Sequence, residues 1–230
     1  MKRFYKAAAV EAVDNGYGIA LDGRPVRTPG RVLIRVASEP LATALCDEWD
    51  RQGDDVDPLS MPLTQLANTA IDRTPELRAA MIAELVRYGG TDLVCYRADH
   101  PQTLVERQDA QWQPLVDWLR QRYDIGLVTV TGVLPQPQSP PALARLERII
   151  AAYDDFGLTA LHMGATSAGS VVIGLAMMEG VVDATQAADA AQLDDLHQIE
   201  YWGADEDAEK RLKQGREDIE AAWRFRSLIE

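Results

Sequence analysis

The 230-residue sequence predicts an α+β fold, with a small N-terminal antiparallel β unit followed by a mainly α-helical domain. Three observations carry that prediction. Apolar residues follow the two-residue period of strands up to about Val36, the pair Asp22-Gly23 sits between two such runs, and from Ser38 onward the period is helical. The expected organisation is an antiparallel β unit over residues 1–37 and a mainly helical domain over 38–230, with a Pro-rich connection at 134–141 as the best internal boundary.

Within the β unit, Tyr17 to Leu21 and Pro25 to Thr28 flank Asp22-Gly23, which tolerates the positive φ angles of a tight turn, so a hairpin is expected there. Val32 to Val36 reads as a further strand and Phe4 to Val10 as an earlier one. This unit carries Lys2, Arg3, Lys6, Arg24, Arg27, Arg31 and Arg35 against few acids.

The helical part opens at Ser38, a good N-cap, with Glu39 and Pro40 suited to a first turn. Leu41, Leu45, Glu48 and Trp49 then fall near one face before Gly53, which makes Trp49 a core residue rather than a contact residue. A second helix starts at Thr74-Pro75, places Leu77, Met81, Leu85 and Tyr88 on one stripe, and closes at Gly89-Gly90. A third begins near Pro101 and turns Leu104, Trp112, Leu115, Trp118 and Leu119 toward a core. Pro114 removes a backbone donor inside it and predicts a kink or two abutting helices. Gly126 to Val133 reads as a strand, and Leu134 to Pro141 as irregular. Helices are expected around Ala142 to Tyr153, Leu158 to Met178, Ala184 to Tyr201 and Asp205 to Arg226.

Composition narrows the function classes. A formal net charge of -13 argues against gripping a nucleic-acid backbone or an anionic membrane, both of which reward Lys and Arg. Residues 39–57 hold seven carboxylates against Arg51 alone, and residues 179–209 hold ten with no Lys or Arg, a density that faces water or meets a basic partner. The chain is polarised, basic in front and acidic behind. Cys46 and Cys95 have neither metal-type nor redox-type spacing, so a reducing compartment is expected. The N-terminus reaches Glu11 and Asp14 before any apolar run long enough for a signal peptide, and the mature chain is expected to start near Met1. Phe156 to Met178 lacks Asp, Glu, Lys and Arg, but its hydroxyls, His162 and glycines make it a buried central helix rather than a membrane span.

Catalytic patterns fail in turn. His100, His162 and His197 are isolated and form no HExxH or HxH pair, so no metal is expected. The run from Gly164 to Ser170 has the look of a phosphate loop but lacks its lysine, and Gly164, Gly169 and Gly174 are better read as close approaches between helices. No GxSxG elbow or CxxC pair occurs. The informative stretch is Leu193 to Gly203. As a helix it places Asp195, Ile199 and Trp202 at i, i+4 and i+7, a carboxylate on one stripe with two large apolar groups. Two readings stay open: a docking face, or an ordinary amphipathic helix in which Ile199 and Trp202 pack inward and Asp195 sits at the core edge, paired with an arginine of the β unit.

Several motifs occur together and in order: Gly18-Ile19-Ala20-Leu21-Asp22-Gly23-Arg24-Pro25-Val26-Arg27-Thr28-Pro29, Glu48-Trp49-Asp50-Arg51-Gln52, Met61-Pro62-Leu63-Thr64, Asn68-Thr69-Ala70-Ile71-Asp72, Thr91-Asp92-Leu93-Val94-Cys95-Tyr96-Arg97, and Gln198 through Trp202-Gly203. With these the chain, from about Arg3 to Trp202, resembles the assembly chaperones for the α subunit of the F-type ATP synthase catalytic head. The resemblance implies a non-enzymatic helper that binds the free α subunit, prevents its aggregation, and yields it to the β subunit as the ring forms. It implies no cofactor, metal or small-molecule substrate, no membrane insertion, and, without a transit segment, the bacterial type working in the cytoplasm. The resemblance associates an acidic pair with function, here Asp194 and Asp195, where relatives tend to have glutamate, and His197 stands where an aromatic is common; together with the residues of the Leu193 to Gly203 stretch the expected partner-binding set is Asp194, Asp195, Ile199, Glu200 and Trp202. Glu48, Trp49 and Asp50 form a second marked motif, structural or functional. Two other readings are an acidic interaction module for a different basic partner, and an enzyme using Asp72 and Asp92 as an acid/base pair between the β unit and the helical body.

Overall fold

The computed structural model describes residues 1–132, 134, 136–203 and 205–229, and shows an α+β fold with a small N-terminal antiparallel sheet followed by ten helices among those residues. The chain groups into two compact units, one formed by Met1–Arg78, Asp154–Ala160 and Arg224–Glu230, the other by Ala79–Tyr153 and Leu161–Trp223.

In the first unit, β1 (Ala8–Val13) pairs antiparallel with β2 (Gly16–Leu21) from Ala8↔Leu21 to Val13↔Gly16. The predicted hairpin follows: β2 turns through Asp22 (φ 49°) and Gly23 (φ 76°) into β3 (Arg24–Pro25), both central residues in the left-handed region that a type I′ turn requires. The Asp22 carboxylate also accepts from the N–H groups of Lys6 and Ala7, which holds its pKa below the usual carboxylate range. The strand expected over Val32 to Val36 is confined to β4 (Arg35–Val36), antiparallel to β2, plus a single bridge between Arg27 and Leu33. The earlier strand lies four residues later than its expected start, because the chain turns at Asn15-Gly16 and β1 is set by pairing with β2.

Ser38 caps α1 (Glu39–Asp50) by accepting from the Leu41 N–H, and α1 packs on the sheet. It is followed by α2 (Pro62–Asp72), a helix that the sequence reading did not assign. In the same unit the Thr74 and Thr159 hydroxyls share a buried hydrogen bond of 2.7 Å, Arg78 pairs with Asp155 at 2.8 Å, and Phe156 stacks on Phe225. These contacts tie the two late segments to the N-terminal one.

Helix α3 (Thr74–Gly90) has the predicted limits, with Met81 and Leu85 buried and Leu77 exposed, a departure from the expected stripe. The second unit is built around α4 (Gln102–Tyr123), which runs through Pro114 as one helix rather than two. Its Trp112 is fully buried and donates from Nε1 to the Ala190 carbonyl at 2.8 Å. The strand expected from Gly126 onward shrinks to β6 (Val130–Thr131), parallel to β5 (Tyr96–Arg97), and its last expected residue, Val133, lies outside the described residues. In the 134–141 stretch Pro135 also lies outside them, while Ser139 caps α5 (Pro140–Ala151), so Pro140 and Pro141 occupy a first helical turn, where no N–H is needed.

Two predicted helices are each divided. Leu158 to Met178 becomes α6 (Asp155–Ala168) and α7 (Val171–Met178), broken at Gly169 (φ 65°) and restarted by Ser170, whose hydroxyl accepts from the Ile173 N–H. All eight residues of α7 are buried, as an all-round apolar helix requires. Ala184 to Tyr201 becomes α8 (Ala184–Ala191) and α9 (Leu193–Trp202), with the break at Gln192. The chain ends in α10 (Glu206–Leu228). No helix among the described residues is long and apolar enough to cross a membrane.

Candidate functional site

Helix α9 is oriented by what it buries. Leu193 and His197 are buried at i and i+4, and the His197 ring lies 4.8 Å from that of Tyr201, with Nε2 3.3 Å from the Thr103 hydroxyl. That inward choice fixes the rest of the helix. Asp194 and Asp195 occupy the first turn, where the partial positive charge of the helix end favours carboxylates. The half-buried Asp194 accepts from Gln108 Nε2 at 2.7 Å, and burial raises its pKa while the Gln108 bond opposes the rise. Asp195 faces Arg211 of α10 at 3.6 Å, not an arginine of the β unit. Glu200 is held by Arg107 at 2.8 Å, which keeps its carboxyl below the usual range.

Ile199 is half-buried, and beyond it the helix stops at Gly203 (φ 79°). Trp202 is 88% exposed and Tyr201 60% exposed. This corrects the inward reading of Trp202. With Leu193 and His197 occupying the inner face, Trp202 falls on the outer one, so Asp195, Ile199 and Trp202 pass from core edge to solvent along the stripe. The second unit therefore presents two large rings beside a row of carboxylates.

The Glu48, Trp49 and Asp50 motif lies in the first unit and works internally. Glu48 is buried, and its carboxylate accepts from the N–H groups of Leu63 (2.9 Å) and Thr64 (2.8 Å) and from the Thr64 hydroxyl (2.7 Å), capping α2. Trp49 is half-buried, edge-on to Tyr5, whose hydroxyl donates to the Trp49 carbonyl at 2.6 Å; its indole Nε1 has no hydrogen-bond partner among the described residues. Asp50 is exposed and pairs with Arg3 at 3.5 Å.

The two carboxylates considered for acid/base chemistry are also structural. Asp72 accepts from the Thr28 hydroxyl and the Gly30 N–H, both at 2.7 Å. Asp92 is completely buried and accepts from the Ser170 hydroxyl and from the N–H groups of Val94 and Val172; burial nevertheless pushes its pKa up to about 6. Among the described residues no group of three or more His, Cys, Asp or Glu side chains is placed to hold a metal.

The sequence profile of the ATP12 chaperone protein family matches residues 2–120, more than half of the chain. The chain belongs to the ATP12 chaperone family. It is the assembly-chaperone family whose motifs the sequence carries. The crystal structure of Atp12 from Paracoccus denitrificans is similar over 100% of this chain and 98% of that one, with a TM-score of 0.94 and 39% identity. An aspartate-to-lysine mutant of the same Paracoccus protein superposes equally well, with the same identity and coverage. The mitochondrial protein atp12 of Schizosaccharomyces pombe is 24% identical over 219 residues, covering 90% of this chain and 75% of that protein. Of the motif residues, Glu48, Leu63 and Thr64 build the α2 cap, and Gln198 to Trp202 lie on α9. The α2 cap went unread in sequence because its donors lie 15 and 16 residues after Glu48, beyond any local capping pattern.

Proposed function

We propose that this ATP12 family member binds the free α subunit of the F-type ATP synthase in the bacterial cytoplasm, keeps it from aggregating, and gives it up to the β subunit. The observation that carries the reading is the exposed pair Tyr201 and Trp202 at the end of a helix edged by Asp195 and Glu200. Water is a poor neighbour for an indole that could be buried, so a ring left 88% exposed is an anchor awaiting a partner. Aromatic anchors supply most of the energy of such interfaces. The surrounding carboxylates speed encounter and set orientation, yet exposed charge pairs contribute only about 0–1 kcal/mol each. That combination gives capture without excessive tightness, and exchange to the native neighbour requires such a balance because related complexes differ mostly in dissociation rate.

In this reading Asp194, Asp195, Ile199, Glu200 and Trp202 contact the client, and the protein makes and breaks no covalent bond. The test is light scattering from purified α subunit diluted out of denaturant, with this chain present. Equimolar chain suppresses the signal, and later addition of β subunit releases the client into a soluble complex. Undiminished aggregation at equimolar ratio overturns the proposal.

A further inference from the structure

Helix α10 runs antiparallel to α8 and α9, and the contacts between them form a series. Asp195 faces Arg211 at 3.6 Å, Gln192 Nε2 donates to the Leu212 carbonyl at 2.6 Å, and Asp189 accepts from Arg216 at 2.6 Å. At these steps a carboxylate from α8 or α9 meets a guanidinium from α10. One step further the pattern breaks. Asp183, the N-cap of α8, lines a concavity of about 320 Å³ with Ala184, Thr185, Arg216, Glu220 and Trp223, and there α10 adds a carboxylate where a base would close the series.

Neither acid of that concavity is neutralised. Asp183 and Glu220 take part in no ion pair among the described residues. Asp183 Oδ1 accepts from the Gln186 N–H at 2.8 Å, a cap that leaves the carboxylate charged. Arg216 also lines the concavity, but its guanidinium is committed to Asp189 and, at 3.5 Å, to Gln192. With that partner counted, three carboxylates share one guanidinium. Like charges in one small space repel, so the concavity favours an occupant that brings positive charge. The net charge of -13 on the whole chain adds to the preference.

Trp223 narrows the choice of cation. It is half-buried and lines the same concavity. Carboxylates alone would accept an inorganic ion as readily as an organic one. An indole favours a cation carried on an apolar stem, because the ring attracts the charge and the stem packs on the ring. Lysine and arginine side chains have that form. The volume lies at the small end of binding sites, on the scale of one long side chain.

We propose that the pocket of Asp183, Glu220 and Trp223 takes a lysine or arginine side chain of the client, so that the partner supplies the cation that α10 lacks at this step. The proposal rests on the α-subunit reading above and extends its surface. Arg211 meets Asp195 of α9, and from Arg211 to Trp223 a regular helix rises about 18 Å, within the span of one standard interface.

The experiment uses the full chain and purified α subunit. Capture by the parent is compared with capture by Glu220→Lys, which provides the cation from within, and by Glu220→Gln, which removes one negative charge. Glu217→Lys is the control, an equal reversal at an exposed residue of α10 outside the pocket. In parallel, the photoreactive residue p-benzoylphenylalanine is placed at Thr185 in the pocket wall, or at Leu134, 79% exposed and outside it. Capture is expected to weaken at least fivefold for Glu220→Lys and at least twofold for Glu220→Gln, with Glu217→Lys within twofold of the parent. Position 185 is expected to crosslink to a client segment bearing lysine or arginine. Should Glu220→Lys lose its fold by circular dichroism, Glu220→Gln carries the comparison. If the parent captures the α subunit but both Glu220 variants match it, or Glu217→Lys weakens capture as much as they do, the pocket is excluded and the α-subunit reading stands. A crosslink from position 185 that is no stronger than from position 134, or that enters a segment without lysine or arginine, overturns the pocket as well. A parent that captures no α subunit sinks both proposals.

Discussion

Glu48 closes the N-terminus of α2 by taking both the backbone N–H and the hydroxyl of Thr64 on one carboxylate oxygen while Leu63 donates to the other. Met61 at the N-cap position offers no side-chain acceptor, so a residue of the preceding helix serves instead. Glu48→Gln keeps the shape but replaces one acceptor oxygen with a donor, leaving a buried N–H facing an NH₂. The expected cost is about 1–3 kcal/mol, seen as a lower midpoint in thermal or urea unfolding. Client capture per folded molecule is expected to be unchanged, which marks this motif as architectural.

Trp202 gives the opposite pattern. Its ring has almost no intramolecular packing to lose, so Trp202→Ala is expected to change stability by less than about 0.5 kcal/mol. As an interface anchor its removal is expected to cost more than about 1 kcal/mol of binding, at least a fivefold loss of affinity for the α subunit by titration calorimetry. Equal affinity for parent and variant would remove the ring from the interface.

Asp195→Lys tests the acidic edge. The pair with Arg211 is long, at 3.6 Å, and both side chains are well exposed, so reversing the charge costs the fold no more than about 1 kcal/mol. Against a basic client surface the same change is expected to slow association and to reduce capture, with the loss shrinking as salt is raised. A salt-independent effect would point to local distortion instead.

Much of the architecture could be read locally and some could not. Asp22-Gly23 announces its hairpin because turn chemistry is carried by the turn residues themselves, and Asn15-Gly16 is a similar turn pair whose position sets the end of β1, later than the apolar pattern from Phe4 suggests. Ala8, Ala9 and Ala12 have weak strand preference, so β1 depends on its partner for its limits. The break between α6 and α7 is marked by Gly169 followed by Ser170, but the lack of any Asp, Glu, Lys or Arg from Phe156 to Met178 makes the stretch read as one buried helix. The exposure of Trp202 could not be read from its own stripe, because Leu193 and His197 decide which face turns inward. Glu48 is the sharpest case, since its role is defined by donors on the next helix.

Asp92 makes stability respond to pH. Burial holds its pKa at about 6 in the folded protein, against an ordinary value of 3.8, so between those limits the folded chain keeps a proton that the unfolded chain releases. Its contribution is therefore fully present below pH 3.8 and is lost as pH rises through about 6. Asp92→Asn has no such titration. The stability of the parent relative to this variant is expected to fall by up to about 1.4 kcal/mol per pH unit within the window and to level off above it. Urea unfolding at intervals from pH 4 to about 7.5 measures this difference. A flat difference would mean that the bonds from Ser170, Val94 and Val172 keep the carboxylate ionised.

The contact between α6 and α7 rests on two glycines that sequence reading assigned to close approach. A Cβ on Gly174 would lie 2.8 Å from Ala165 Cβ and 3.1 Å from its Cα, and one on Gly164 would meet the flexible end of Met177 at 2.4 Å. The two positions therefore predict different outcomes from the same substitution. At Gly174 the obstacle is backbone and a rigid methyl, so Gly174→Ala forces the helices apart and is expected to cost about 1–3 kcal/mol. At Gly164 the thioether can swing away, and alanine favours the helix over glycine by about 1 kcal/mol, so Gly164→Ala is expected to be nearly neutral. Side-by-side urea unfolding of the two variants checks the ordering, and a more damaging effect at Gly164 would show that Met177 is fixed in place by its neighbours.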